Sequence, residues 1–289
     1  MLAVMRGLCA CLCVVIMACS SGPRRESAMA GDDYRLMWAD EFDVAGRPDP
    51  QNWNFEHGFV RNQELQWYQS ENAFVADGRL IIEGRREERP NPNYDADSDD
   101  WRTNRPTITY TSASLRTLGL QQWKYGRFEV RAKIPASDGM WPAIWFLGVE
   151  GEWPSSGEID LMEYYDGNIL ANACWGTQKR YEPKWDSVKV PLGDLGDPQT
   201  WDQEFHIWRM DWDEQSIVLS LDDRVLNTID LTTTINPNDH GPGNPFHQPH
   251  YLLLNLAMGG LGGDPAGTDF PARYEIDYVR VYQRERAVD

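Results

Sequence analysis

The chain has 289 residues and a formal net charge of −18 at neutral pH. A nucleic-acid face needs a basic surplus, which is missing here, and polyanionic substrates are disfavoured for the same reason. Aromatic residues make up 12% and include 13 Trp. Core packing accounts for only part of these, and flat indole faces suit flat apolar ligand faces such as those of sugar rings.

The first 23 residues carry one charge, Arg6. Leu8 to Ala18 is apolar but too short to span a bilayer, as in a cleaved export signal. Ile16-Met17-Ala18-Cys19 resembles a bacterial lipobox. That resemblance implies cleavage before Cys19 and lipid on its thiol, with the outer membrane or cell surface as destination. An ordinary signal and secretion is the alternative. Residues 1–18 are therefore expected to be a signal, 19–33 a tether, and 34–289 the folded domain. The membrane is touched only through the anchor, and the domain is expected to be a monomer. Cys9, Cys11 and Cys13 leave with the signal, so Cys174 alone remains in the domain and no internal disulfide forms there.

From Tyr34 onward strand signals dominate. Phe128, Val130, Ala132 and Ile134 alternate with Arg127, Glu129, Arg131 and Lys133. Ile217, Leu219 and Leu221 repeat the pattern, Tyr251–Leu256 is a short apolar run, and Ile276–Tyr282 reads as a closing strand. Asn236–Pro249 and Gly259–Gly267 are rich in turn residues. No long window has a helical period. The pattern predicts an all-β fold of two packed sheets. Arg85–Arg105 is polar and Asp-rich and reads as a long surface loop.

Residues 157–163 read Gly-Glu-Ile-Asp-Leu-Met-Glu. A pleated strand sends Glu158 and Asp160 to one face and Glu163 to the other. One extra residue at Leu161–Met162, a β-bulge, returns Glu163 to the face of the other two. Three buried acids on one face repel and raise one another's pKa values. Structure gives no reason to build that, whereas acid/base chemistry needs one ionised and one protonated carboxyl side by side.

Several segments, in this order, resemble glycoside hydrolase family 16, the clan of laminarinases, lichenases, agarases and carrageenases. They are Trp38–Phe42, Asn62–Tyr68, Tyr110–Ala113, Tyr125–Glu129, Trp141–Trp145, the acidic run, Phe205–Trp212, Leu254–Gly260 and Asp277–Tyr282. The resemblance covers nearly the whole domain. It implies a β-jelly-roll sandwich of two antiparallel sheets with a concave glycan-binding cleft, and an endo-acting retaining hydrolase of a β-linked polysaccharide. Within the family this chain has the bulged acidic motif.

By that resemblance Glu158 is the nucleophile, Glu163 the general acid and then base, and Asp160 lies between them, hydrogen-bonding the nucleophile and keeping Glu163 protonated. Retaining enzymes hold two carboxyls about 5–5.5 Å apart. Trp141, Trp145, Trp153 and Trp175 are expected at sugar subsites, with Asn62 and Glu64 as a subsite wall and Asn255 on the cleft floor. The chemistry needs no cofactor. A structural calcium, held by Asp277, Glu41 and the carbonyl of Gly78, is a further expectation from the family. Two departures bear on the substrate. Ala173-Cys174-Trp175-Gly176 has Cys where laminarinases have His, and the Thr-Ser-Ala run ends in Ser114 rather than Arg. A β-1,3-glucan is the expected substrate, a β-galactan the alternative, and a non-catalytic glycan-binding jelly roll the competing class.

Overall fold

The protein's structure is a computed structural model and describes residues 33–284. The signal, most of the tether and Cys19 lie outside the described residues. The strands in chain order are β1 (Tyr34–Asp40), β2 (Asn54–Phe55), β3 (Gln66–Tyr68), β4 (Ala73–Ala76), β5 (Arg79–Pro90), β6 (Thr107–Ser112), β7 (Ser114–Arg116), β8 (Gly126–Lys133) and β9 (Met140–Gly148). They continue as β10 (Glu158–Tyr165), β11 (Asn168–Gly176), β12 (Pro183–Pro191), β13 (His206–Trp212), β14 (Ser216–Leu221), β15 (Arg224–Asp230), β16 (His250–Met258) and β17 (Ala272–Arg284). Helical structure among the described residues is limited to short 3₁₀ turns. No helix among them is long and apolar enough to cross a membrane.

Two sheets form. One has ten strands with the path β15-β14-β13-β8-β17-β5-β6-β3, with β1 paired to β17 and β4 to β5. The other has seven, in the order β12-β11-β10-β9-β16-β7-β2. Nearly all pairings are antiparallel; β3 and β6 pair in parallel.

Strand β8 shows why the first sheet forms. Phe128, Val130 and Ala132 are buried between the sheets. The alternate residues face out and pair across strands: Arg127 with Asp211, Glu129 with Arg209, Arg131 with Asp277, and Lys133 with Glu275. Such surface pairs contribute little each, but they keep the register in which the apolar set points inward. Phe128 packs edge-on against Phe146 of the opposite sheet with ring centroids 5.2 Å apart. In the middle of the second sheet both faces are buried. Its inner face carries Ile144, Phe146, Ile159, Ile169 and Ala171, and its outer face is the floor of a cleft.

The loop expected over Arg85–Arg105 is shorter than predicted. β5 runs on to Pro90 and pairs with β6, Arg85 opposite Thr111 and Arg89 opposite Ile108. Arg85–Pro90 alternates half-buried and exposed charged residues, so its composition hides a strand. The remaining loop, 91–106, is cross-braced: Asn91 Nδ2 donates to the carbonyls of Arg102 and Arg105.

Candidate active site

Strand β10 carries the predicted bulge. Against β11 the register slips between Asp160 and Glu163, and against β9 between Asp160 and Met162. Leu161 and Met162 are both fully buried in the core. The extra residue thus returns Glu163 to the outer face, and Glu158, Asp160 and Glu163 all line one cleft of about 990 Å³. Gly157 immediately precedes the strand at φ +82, where a Cβ would meet Pro245 Cβ at 2.8 Å. Only glycine tolerates both the conformation and the contact.

Each glutamate is held by an indole. Trp153 Nε1 donates to Glu158 Oε2 at 2.8 Å, and Trp141 Nε1 donates to Glu163 Oε1 at 2.9 Å. Asn172 Nδ2, on β11, donates to the other oxygen of Glu163 at 3.2 Å. Asp160 sits opposite Asn172 in the strand register. Its Oδ2 and the Oδ1 of Asn172 are both buried with no hydrogen-bond partner among the described residues. The expected hydrogen bond from Asp160 to the nucleophile is therefore not made through Oδ2.

Burial is the main force on the three acids. It lifts Glu158, with repulsion from Glu163 adding to it, to a pKa of about 7. It lifts Asp160 well above the usual carboxylate range, aided by the charges of Glu163 and Glu158. It raises Glu163 too, opposed by the donors Trp141 and Asn172. The cluster therefore holds protons at neutral pH that isolated carboxyls would have lost.

The cleft crosses the strands of the sheet. On one side of β10 it runs over Leu170 and Asn172 to β12, where Trp185 stands 42% exposed. On the other it runs over Trp145 to Asn255 and Ala257 of β16. Trp145 is buried and its Nε1 donates to Asn255 Oδ1 at 2.7 Å. Asn255 Nδ2 donates to the hydroxyl of Tyr68 at 3.0 Å, and that hydroxyl reaches Glu64 Oε2 at 3.4 Å. Glu64 also accepts from Gln66 and Asn62. Burial raises its pKa, against the pull of Arg61. Asn62, Glu64 and Asn255 thus form one connected wall and floor, and all line the cleft.

Trp175 is a correction. It lies on the inner face of β11, 3% exposed, packed edge-on against Phe246 in the core. Strand parity explains this: Leu170 and Asn172 face the cleft, so Ala171, Ala173 and Trp175 face inward. Cys174 is opposite Glu158 in the register, fully buried and a free thiol. Burial and the neighbouring acids push its pKa well above the ordinary value, so it stays neutral.

The residues named for calcium are otherwise engaged. Glu41 accepts from Arg280 at 2.7 and 2.9 Å, and Asp277 accepts from Arg131 at 2.6 Å. Gly78 forms the turn between β4 and β5 with φ +70. Among the described residues no group of three or more His, Cys, Asp or Glu side chains is placed to hold a metal. Both carboxylates named for calcium are thus paired with arginines in this structure.

Arg61, Trp185, Asn172 and Leu261 line the cleft and were missed in the sequence. Trp185 had a signal, a lone aromatic in the largely polar segment Glu182–Lys189. Arg61 had none beyond its place beside Asn62.

The sequence matches the model of glycosyl hydrolases family 16 over residues 62–280. It is 36% identical over 274 residues to a β-glucanase of Rhodothermus marinus, covering 86% of this chain and 85% of that protein. Among solved structures, one described with endo-acting O-glycanases that human gut bacteria express to initiate mucin breakdown superposes with a TM-score of 0.79. It shares 36% identity and covers 90% of this chain and 94% of that one. The endo-1,3-β-glucanase (laminarinase) catalytic domain of Thermotoga petrophila superposes with a TM-score of 0.70 at 34% identity, covering 88% and 99%. The bulged acidic strand, the two-sheet jelly roll and these matches together make the chain a member of glycoside hydrolase family 16, a glycan-cleaving enzyme.

Proposed function

We propose that the protein is an endo-acting, retaining hydrolase of β-1,3-glucan, of laminarin or mixed-linkage type. The observation that carries the reading is the convergence of Glu158 and Glu163 on one cleft, each fixed by an indole N–H. The cleft's course across the strands suits a chain bound along its length and cut internally. The β-glucanase and laminarinase activities of the relatives support the glucan assignment.

In this reading ionised Glu158 attacks the anomeric carbon while Glu163 gives its proton to the glycosidic oxygen. The bond to the leaving sugar breaks and a glycosyl ester on Glu158 forms. Glu163, now ionised, takes a proton from water, and the water oxygen displaces Glu158, so the configuration is retained. Burial raises the pKa of Glu163, with the charge of Glu64 adding to it, and so favours the proton that the acid step needs.

A second reading is an endo-hydrolase of β-galactoside chains. Neutral Cys174 opposite Glu158 favours it, because the imidazole of laminarinases is absent there. A panel of laminarin, mixed-linkage glucan, agarose, porphyran and β-1,3-galactan decides, with reducing-end release and product size scored for each. Release from galactans alone overturns the glucan assignment. E158Q separates the enzyme from a glycan-binding jelly roll: turnover is lost while binding remains.

The lipid anchor at Cys19 belongs to the same proposal, with the enzyme at the cell envelope. Metabolic labelling with a fatty-acid analogue that C19A abolishes would support it.

A further inference from the structure

Trp145 is the aromatic floor of the cleft arm that runs from β10 toward β16, yet the residue is only 9% exposed. Its cover is Arg61. The guanidinium carbon lies 5.0 Å from the ring centroid, a cation–π stack. Arg61 also forms an ion pair with Glu56. Glu56 accepts from Ser114 Oγ at 2.7 Å and has Arg116 at 3.7 Å. Two cations thus share one carboxylate, and the Arg61 side chain remains about one quarter exposed, at the cleft.

We propose that Arg61 is a specificity-determining residue that caps this arm: it occupies the Trp145 face where a sugar would stack, and presents N–H donors to the oxygens of the last sugar bound there. The geometry supports this in three ways. The strand floor of this arm ends at β16, two strand spacings or ~10 Å from β10. A planar guanidinium pinned between an indole and a carboxylate loses little freedom on binding, so its remaining donors are pre-organised. The opposite arm has no such cover, since Trp185 is 42% exposed at its far edge. The cleft is therefore unequal: a closed polar end on the β16 side and an open aromatic end on the β12 side. Limit products should then have a fixed length on the closed side.

This rests on the hydrolase reading and concerns the same cleft. The test compares wild type, R61A and R61K on whichever polysaccharide of the panel the wild type cleaves best. In R61A the Trp145 face opens, limit products lengthen by at least one sugar, and kcat/KM keeps rising with oligosaccharide length beyond the point where wild type levels off. R61K, which keeps the charge but not the flat stack, falls between the two. An unchanged product ladder in R61A overturns the role of Arg61 and leaves the hydrolase reading intact. If R61A does not fold, R61Q is read by the same criteria. Failure of wild type to cleave any member of the panel overturns both readings.

Discussion

The indole Nε1 of Trp153, a residue 40% exposed, donates a 2.8 Å hydrogen bond to Oε2 of Glu158. A side chain expected only as a sugar platform therefore also favours the ionised form of Glu158, the proposed nucleophile, against burial and Glu163. A donor to a carboxylate stabilises its ionised form, so losing it raises the pKa. W153F keeps the ring and removes the donor. Its pKa for Glu158 should rise above about 7, and the acid limb of kcat/KM against pH should move to higher pH. At pH 6 the loss is expected to be about tenfold, since hydrogen bonds to charged groups contribute ~1.5–3 kcal/mol. An acid limb that does not move would show that the bond has no influence on Glu158.

The same carboxyl should reduce stability when it ionises. Its folded pKa of about 7 lies above the ordinary glutamate value of 4.5, so the folded state binds more protons than the unfolded state between these values. Stability from this group is fully present below the unfolded pKa and is lost as pH rises through about 7. E158Q removes the ionisation. It should match wild type near pH 4 and exceed it above pH 7 by at most about 3 kcal/mol. Denaturant midpoints at pH 4 and pH 8 measure the difference, and equal gaps at both would contradict the assignment.

Asp160 and Asn172 face each other across β10 and β11, each with one buried oxygen lacking a partner. Two acceptors cannot satisfy one another, but a proton on Asp160 turns one of them into a donor. Burial pushes Asp160 toward that protonated form. D160N supplies an N–H donor without charge, whereas D160A supplies none. We expect D160N to keep kcat/KM within about tenfold of wild type and D160A to lose on the order of a hundredfold, as for an unsatisfied buried partner. If D160N is as damaged as D160A, Asp160 works as an anion instead.

What the sequence made legible was local. The bulge of β10 follows from the spacing of three acids, and β8 from its two-residue alternation. Trp175 went to the wrong face because a Trp beside a motif does not declare its parity. That parity depends on which of Asn172 and its neighbours face the cleft. The partners of Glu41 and Asp277 lie 239 and 146 residues away, so no window could show that arginines engage them. Arg61 escaped notice for the same reason: its meaning comes from Trp145, which the fold brings beneath it.

The loop 91–106 gives the segment that displays Arg61 its shape. Arg105 donates to the carbonyls of Glu64 at 2.7 Å and Gln63 at 3.0 Å, and Arg102 donates to that of Val60 at 2.9 Å. Arg105 also stacks over Phe59 and Trp101. The braced segment is strained, since Asn62 and Gln63 take φ +55 and +53. Such residues cost of order 1–3 kcal/mol each and persist only when their surroundings hold them. R105A removes two of the braces without touching Glu158 or Glu163. Asn62 and Arg61 then wander, sugar binding weakens, and chemistry on bound substrate continues. KM should rise several-fold with kcat within about twofold, since only binding that is uniform through the reaction is lost. Amide exchange at Asn62–Leu65 should quicken while β10 stays protected. A fall in kcat at constant KM would instead place the effect of this loop on the carboxylates.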